Sequence, residues 1–139
     1  MKPLLIAVAA LLSGCSQSGI PWTEQPDTGR WYSRAQVEAG RPLFKQYCAE
    51  CHGLHAEGAA NWQRPRANGN YPPPPLNGTA HAWHHPYPQL VKTIREGTQG
   101  DMPAWSKVLN SEEVDQVIAY FQSFWPERGY QLWLERHQR

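Results

Sequence analysis

Cys48-Ala49-Glu50-Cys51-His52 is the stretch that decides how this chain folds. The spacing C-x-x-C-H is the attachment sequence for c-type haem. Two thiols at this spacing can add across the two vinyl groups of one porphyrin, and the histidine that follows is placed to bind the iron as an axial ligand. The motif therefore predicts one covalent haem c, bound through Cys48 and Cys51 and ligated by His52.

Two other chemistries use closely spaced cysteines. A disulfide or redox C-x-x-C pair is the main alternative for the two thiols. A structural zinc site needs a second pair of ligands at suitable spacing, and the sequence contains no other C-x-x-C. The adjoining histidine favours haem over a disulfide or a redox pair, because neither of these requires it.

The N-terminus has the features of an export signal. A short positive start is followed by an apolar run from Leu4 to Leu12, which is too short to span a bilayer as a mature helix. The run ends in the letters LSGC, which resemble a bacterial lipobox and imply that Cys15 is lipidated and becomes the first mature residue. An ordinary secretory signal with an unrelated cysteine is the alternative. Ser16, directly after the lipidated cysteine, resembles the signal that sorts lipoproteins to the outer membrane rather than retaining them in the inner membrane.

Composition indicates a single loop-rich domain without affinity for nucleic acid. The 139 residues include 13 Lys and Arg against 12 Asp and Glu, so no large basic surface is expected. Thirteen Pro and 11 Gly indicate many loops, and seven Trp supply bulky apolar area. We divide the chain into a lipoprotein signal peptide (1–14), a tether (15–29), a haem domain (30–126) and a tail (127–139) that can form a short helix.

Three helices are predicted from apolar periodicity and end signals, and no strand pattern competes. The first runs from about Ser33 to Cys48, and the second from Pro88 to Glu96, before Gly97. The third runs from Ser111, which can serve as its N-cap, to Phe124. The first and third helices each carry a stripe of apolar residues on one face.

Between about residues 33 and 125, the chain resembles a class I cytochrome c, a small monohaem electron carrier. In that family a glycine and an aromatic residue four positions apart precede the haem motif, and Gly40 and Phe44 stand there in this chain. The resemblance implies that the first helix crosses the last at Gly40, against aromatics such as Tyr120. It further implies an all-α, loop-rich cytochrome c fold with three to five helices around one covalent haem.

A second part of the resemblance concerns the haem surroundings. The letters PPLNG from Pro74 to Gly78 resemble the family's P-x-L-x-G segment. In the family the carbonyl of that proline accepts a hydrogen bond from the proximal histidine, so Pro74 would orient His52. The same segment implies that Leu76 packs on the haem face.

Met102 is the residue that resembles the family's sixth iron ligand. It lies on a turn bounded by Gly100 and Pro103 just before the last helix, and the only other methionine belongs to the signal peptide. A thioether favours low-spin iron and raises its reduction potential relative to a second histidine. A plain core methionine is the alternative. The competing ligands are His81, His84 and His85.

The three clustered histidines also raise the question of a second metal site for copper or zinc. Three histidines within five residues rarely reach one ion together, so we predict that they bond to backbone or to a haem edge and hold no metal tightly. The segment from Gly53 to Tyr71 contains Trp62, Arg64 and Arg66. Candidates for binding a haem propionate are Arg64, Arg66 and the Trp62 indole, and a solvated loop is the alternative.

These features predict single-electron transfer at the periplasmic face of a bacterial envelope. The sequence has no evident acid–base pair, nucleophile or open metal site, so an enzyme acting alone is not expected. The main interpretation is a lipid-anchored electron carrier with His/Met-ligated haem c that exchanges electrons with separate redox proteins. The alternative is a haem-bearing electron-transfer subunit of a membrane or periplasmic oxidoreductase complex. A ligand or metal sensor is a third interpretation.

Overall fold

Helices and loops make up the computed structural model, which describes residues 24–137. Five α-helices and one short 3-10 helix occur there, and the part described contains no strand beyond an isolated bridge between Gln25 and Arg30. This confirms the predicted all-α class. The predicted signal peptide, Cys15 and most of the tether lie outside the described residues. In chain order, the elements are α1 (Arg34–Tyr47), α2 (Ala49–His52), the 3-10 helix (Ala82–His84), α3 (Tyr87–Glu96), α4 (Ser111–Ser123) and α5 (Glu127–His137).

The first two predicted helices are present with boundaries shifted by one residue. Ser33 is the N-cap of α1 and forms a capping box with Gln36, while Cys48 ends the helix. The middle helix, α3, begins at Tyr87 and ends before Gly97, whose φ of +75° suits a residue without a side chain. No helix within residues 24–137 has both the length and the apolarity needed to cross a membrane.

The N-cap of α4 differs from the prediction. Asn110 caps the helix, and Ser111 is already its first helical residue. The Asn110 side chain accepts a hydrogen bond from the Glu113 N–H at 3.0 Å, and Glu113 Oε2 accepts one from the Asn110 N–H at 2.8 Å. A cap requires extended backbone, and Asn110 has it, with φ −75° and ψ 177°. The choice of Ser111 was therefore wrong by one position.

The crossing of α1 and α4 forms the centre of the domain. A Cβ atom added to Gly40 would lie 1.9 Å from the Gln116 backbone oxygen, so only glycine permits this approach. Four residues further along α1, the Phe44 ring lies 5.2 Å from the Tyr120 ring, measured between centroids. The helix crossing implied by the resemblance is therefore present, at the residues that predicted it.

The tail forms α5, which packs on the domain. Tyr130 and Trp133 are fully buried and belong to the main apolar core. Trp133 Nε1 donates a hydrogen bond to the His85 backbone oxygen at 2.9 Å, which joins α5 to the segment after the 3-10 helix. The expectation of a helix in the tail thus matches the observed element, and its apolar face completes the core.

Arg30 connects the segment before α1 to the junction between α4 and α5. Its guanidinium donates hydrogen bonds to the backbone oxygens of Gln122 at 2.8 Å and Trp125 at 3.0 Å. The last carbonyls of a helix have no partner within the helix, and Arg30 supplies one here. The same guanidinium lies 4.5 Å from the centroid of the Tyr130 ring. Arg30 therefore connects the N-terminal segment of the domain to its C-terminal helices.

Candidate functional site

The C-x-x-C-H motif folds into a single helical turn, α2. The His52 N–H donates a hydrogen bond to the Cys48 backbone oxygen at 2.9 Å, and the Cys51 N–H donates to the same oxygen at 3.1 Å. Residues three apart on a helix lie on one side of it, so the turn presents the two thiols together. Neither thiol forms a disulfide. Burial raises the pKa of Cys48 to about 12, with a smaller contribution from the neighbouring Cys51.

His52 has a fixed orientation and a defined tautomer. Its Nδ1 lies 2.9 Å from the Pro74 backbone oxygen. Because a carbonyl can only accept, Nδ1 must carry the proton, and Nε2 keeps the lone pair that can bind a metal. Burial lowers the pKa of His52, while the Pro74 hydrogen bond opposes that shift in part. The neutral imidazole, which is the form that ligates iron, is therefore favoured.

The proline run Pro72–Pro75 is held against the loop that follows the motif. The Ala59 N–H donates to the Pro73 oxygen at 2.9 Å, and the Leu76 N–H donates to the Ala56 oxygen at 2.8 Å. A Cβ atom on Gly58 would lie 2.4 Å from the nitrogen of Pro75, so the close contact requires glycine. These contacts fix the carbonyl that orients His52.

A cavity of about 510 Å³ lies beside the motif turn. Its walls include Cys51 and His52 from the motif and Met102 from the loop before α4. This volume is within the range of cofactor pockets, and such pockets have mostly apolar walls with a few placed polar groups. Much of the remaining wall is apolar and is formed by the proline run, the leucine that follows it, α3 and α4. These residues are Pro72, Pro73, Pro74, Pro75, Leu76, Leu90, Ile94 and Phe121.

The loop that carries Met102 folds back onto the end of α3. The Thr98 N–H donates a hydrogen bond to the Met102 oxygen at 3.1 Å, and the Trp105 N–H donates to the Ile94 oxygen at 3.0 Å. A Cβ atom on Gly97 would lie 2.7 Å from the Met102 oxygen. The turn therefore depends on Gly97, and it leaves the Met102 side chain half-buried in the cavity wall.

The residues predicted to bind a propionate do not themselves line the cavity. Arg64 is exposed and is not among the residues that line the cavity. Arg66 forms an ion pair with Asp101, and Trp62 packs edge-on against His81 with ring centroids 5.3 Å apart. Asp101 was not predicted to belong to the site, although its position directly before Met102 could have indicated it.

The clustered histidines meet the end of α5. The rings of His81 and His84 are 5.4 Å apart, and His81 and His85 line the cavity. Within residues 24–137, no group of three or more His, Cys, Asp or Glu side chains is arranged to hold a metal ion. Burial lowers the pKa of His84, and the nearby charges of Arg136 and the other histidines lower it further.

These residues fit a covalently attached haem. The Cys51 thiol, the His52 imidazole with a free Nε2 and the Met102 thioether border one largely apolar cavity, and the second free thiol, Cys48, lies on the same turn as Cys51. These are the donors that a haem iron and a porphyrin require. A disulfide is not formed, and a zinc ion would lack ligands within the described part of the chain. The fold and this site define a c-type cytochrome domain.

Residues 35–121 match the family model described as cytochrome c oxidase, cbb3-type, subunit III. The match covers more than half of the chain, and the chain therefore belongs to this family. Its cofactor is covalently bound haem c, and one haem is consistent with the domain. The prediction of a c-type cytochrome is thereby confirmed.

Several curated relatives carry related names. The Cbb3-type cytochrome c oxidase subunit CcoP of Azospirillum brasilense is 33% identical over 91 residues, which cover 62% of this chain and 28% of the relative. The subunit FixP of Sinorhizobium medicae is 27% identical over 129 residues, covering 86% and 41% respectively. A nitrite reductase of Stutzerimonas stutzeri is 26% identical over 127 residues, covering 87% and 21%. The chain thus spans less than half the length of these relatives. No solved structure matches it.

Proposed function

We propose that this protein is a haem-bearing electron-transfer subunit that delivers single electrons within a membrane-bound oxidase complex. The observation that carries the proposal is the family match over residues 35–121, supported by relatives named as subunits of cbb3-type cytochrome c oxidase. This match supports the subunit interpretation better than a free carrier. The chain contributes electron transfer to an enzyme complex, and its having no catalytic activity of its own stays a prediction.

The proposed haem site uses the residues of the motif turn and the Met102 loop. Cys48 and Cys51 would form the two thioether bonds, and His52 and Met102 would be the axial ligands. Bound haem c supplies a one-electron ferric–ferrous couple. Pro74 holds the His52 ring in one orientation through the hydrogen bond at 2.9 Å, and that bond raises the basicity of the ligand.

Three residues outside the motif would have further roles toward the iron, the porphyrin and a propionate. Met102 would occupy the sixth position and exclude external ligands, which suits rapid electron exchange. Leu76 lines the cavity and would pack against the porphyrin. Arg64 remains a weaker proposal for a propionate contact, because it lies outside the cavity wall.

We further propose that residues 1–14 are a lipoprotein signal peptide and that Cys15 anchors the protein to a bacterial membrane with the haem domain on the periplasmic side. The tether would then be residues 15–29, the haem domain 30–126 and the C-terminal element 127–139. Lipid attachment at Cys15 would keep the domain near membrane-bound partners. Membrane fractionation tests both the anchor and the outer-membrane sorting predicted from Ser16.

The haem assignment is tested by denaturation and acid–acetone extraction of the purified protein. We expect the haem colour to stay with the polypeptide in the native sequence and to leave with the solvent after replacement of both Cys48 and Cys51 by Ala. A Met102→Ala variant should lose the near-infrared sulfur-to-iron absorption of the ferric protein. Haem that leaves the native protein with the solvent would contradict the proposal.

The subunit assignment is tested in membranes from a strain that lacks this protein. Oxygen consumption driven through c-type cytochromes should fall several-fold and return with the native chain, but not with Met102→Ala. The lipidated protein should co-purify with oxidase subunits. If oxygen consumption is unchanged and the protein purifies without them while still exchanging electrons with soluble donors, the free-carrier interpretation is correct.

A further inference from the structure

Both oxygens of a carboxylate on the Met102 loop accept hydrogen bonds from one neighbouring turn. Arg66 Nη1 donates to Asp101 Oδ2, and Asn70 Nδ2 donates to Asp101 Oδ1 at 2.6 Å. The two donors are 35 and 31 residues away in sequence. We call this set of Arg66, Asn70 and Asp101 the Asp101 bridge.

The donor side of the Asp101 bridge is preorganised. The Arg66 N–H donates to the Asn70 oxygen at 2.8 Å, and the Gly69 N–H donates back to the Arg66 oxygen at 2.9 Å. The Asn70 N–H also donates to Asn68 Oδ1 at 3.0 Å. Because the backbone of this turn is closed, both donors reach the carboxylate from a single rigid unit, and less freedom is lost when the contact forms.

The acceptor, Asp101, directly precedes the proposed iron ligand Met102 in the sequence. The hydrogen bond from the Thr98 N–H to the Met102 oxygen closes the base of the Met102 loop, and the bond from the Trp105 N–H to the Ile94 oxygen holds the following segment on α3. The tip of the loop is exposed, and Asp101 is the tip residue that the turn at Arg66 contacts. Asn70 and Asp101 both line the cavity, so the bridge closes over the side of the cavity that carries Met102.

We propose that Arg66, Asn70 and Asp101 are positioning residues that keep the Met102 thioether on the haem iron and slow its exchange for external ligands. This inference rests on the proposed ligation by Met102. An exposed ion pair alone contributes little. Here two charge-assisted hydrogen bonds from one turn hold Asp101, the residue next to the proposed ligand. Their loss should therefore promote local opening of the loop more than global unfolding.

The test is the rate of carbon monoxide binding to the ferrous holoprotein, since carbon monoxide can bind only when Met102 has left the iron. We expect Arg66→Ala to bind about 3-fold faster and Asp101→Ala about 10-fold faster than the native protein. Arg66→Lys, which retains one charged donor, should lie between the native rate and Arg66→Ala. The near-infrared sulfur-to-iron absorption should weaken in the same order.

The matched control is Arg41→Ala. Arg41 forms an exposed ion pair with Glu38 on α1, with Nη2 and Oε1 2.9 Å apart, and it does not line the cavity. This variant loses the same charge and a comparable surface pair, and its carbon monoxide rate should equal the native rate. Thermal unfolding of all variants separates a local effect from a general loss of stability.

Three outcomes would overturn the inference. If the native ferric protein lacks the sulfur-to-iron absorption, the proposed ligation itself fails. If the native absorption is present but Asp101→Ala binds carbon monoxide no faster than Arg41→Ala, the ligation stands and the bridge has no positioning role. If Arg66→Ala shifts the reduction potential and leaves the binding rate unchanged, Arg66 contacts a haem propionate instead.

Discussion

At Gly40 a single hydrogen atom in place of a side chain sets the distance between α1 and α4. The neighbouring atom is the Gln116 backbone oxygen, which cannot move aside as the end of a flexible side chain could. Glycine is costly inside a helix. The close approach explains why that cost is tolerated.

We therefore predict that Gly40→Ala lowers the free energy of unfolding by about 2 kcal/mol or more, since the methyl group forces the two helices apart. Gly129→Ala is the matched control, because Gly129 is also helical and an added Cβ would come no closer than 4.0 Å to Pro126. Alanine should stabilise that helix by up to about 1 kcal/mol. Urea unfolding of the holoprotein measures both, and equal effects at the two positions would contradict the packing argument.

At the scale of the element, α4 depends on the reciprocal hydrogen bonds between Asn110 and Glu113. We predict that Asn110→Ala lowers the free energy of unfolding by about 1 kcal/mol, because one N–H at the start of the helix loses its acceptor. Ser111→Ala should change it by less than about 0.5 kcal/mol. Thermal unfolding compares the two variants directly. A larger loss at Ser111 would show that the sequence-based choice of cap was right.

The helices were predictable from the sequence because their signals are local. The capping box at Ser33, the glycine at Gly97 and the apolar stripe of α4 all act within a few residues. The crossing at Gly40 was predictable only through a family resemblance, since no local rule states which helix approaches a glycine.

Contacts over long sequence distances were not predictable. Arg30 reaches the Trp125 oxygen across 95 residues, and Arg66 reaches Asp101 across 35. Neither pairing follows from periodicity or composition, because an arginine in a loop has many possible partners. The motif residues of the candidate site were accessible from sequence, whereas the residues that hold its two loops together required three-dimensional information.

For the whole molecule, the corner where α5 meets the 3-10 helix should respond to acid. Burial is the largest cause that lowers the pKa of both His84 and His137 below the ordinary 6.5, and Arg136 lowers both further. Backbone hydrogen bonds to Trp83 and His84 partly offset the shift at His137. As pH falls through 6.5, the unfolded chain binds protons at these two sites more readily than the folded chain does. Stability is therefore lost toward lower pH.

We predict that the urea midpoint of the holoprotein decreases between about pH 7.5 and pH 5.5 and that replacing His84 and His137 together by Gln reduces this decrease. His55→Gln is the control, since His55 packs against Phe124 away from that corner. An identical pH dependence in the native protein, the double variant and the control would show that the corner does not contribute.

Arg30 has a mechanical consequence. If the chain is anchored through residues before 30, any pull between the anchor and a partner docked at the haem domain passes along the segment that contains Arg30. Its bonds to the Gln122 and Trp125 carbonyls and its contact with Tyr130 would carry that load before α1 did. Tension would then be transferred to the end of α4 and to α5, and the motif turn with its two thiols would be spared.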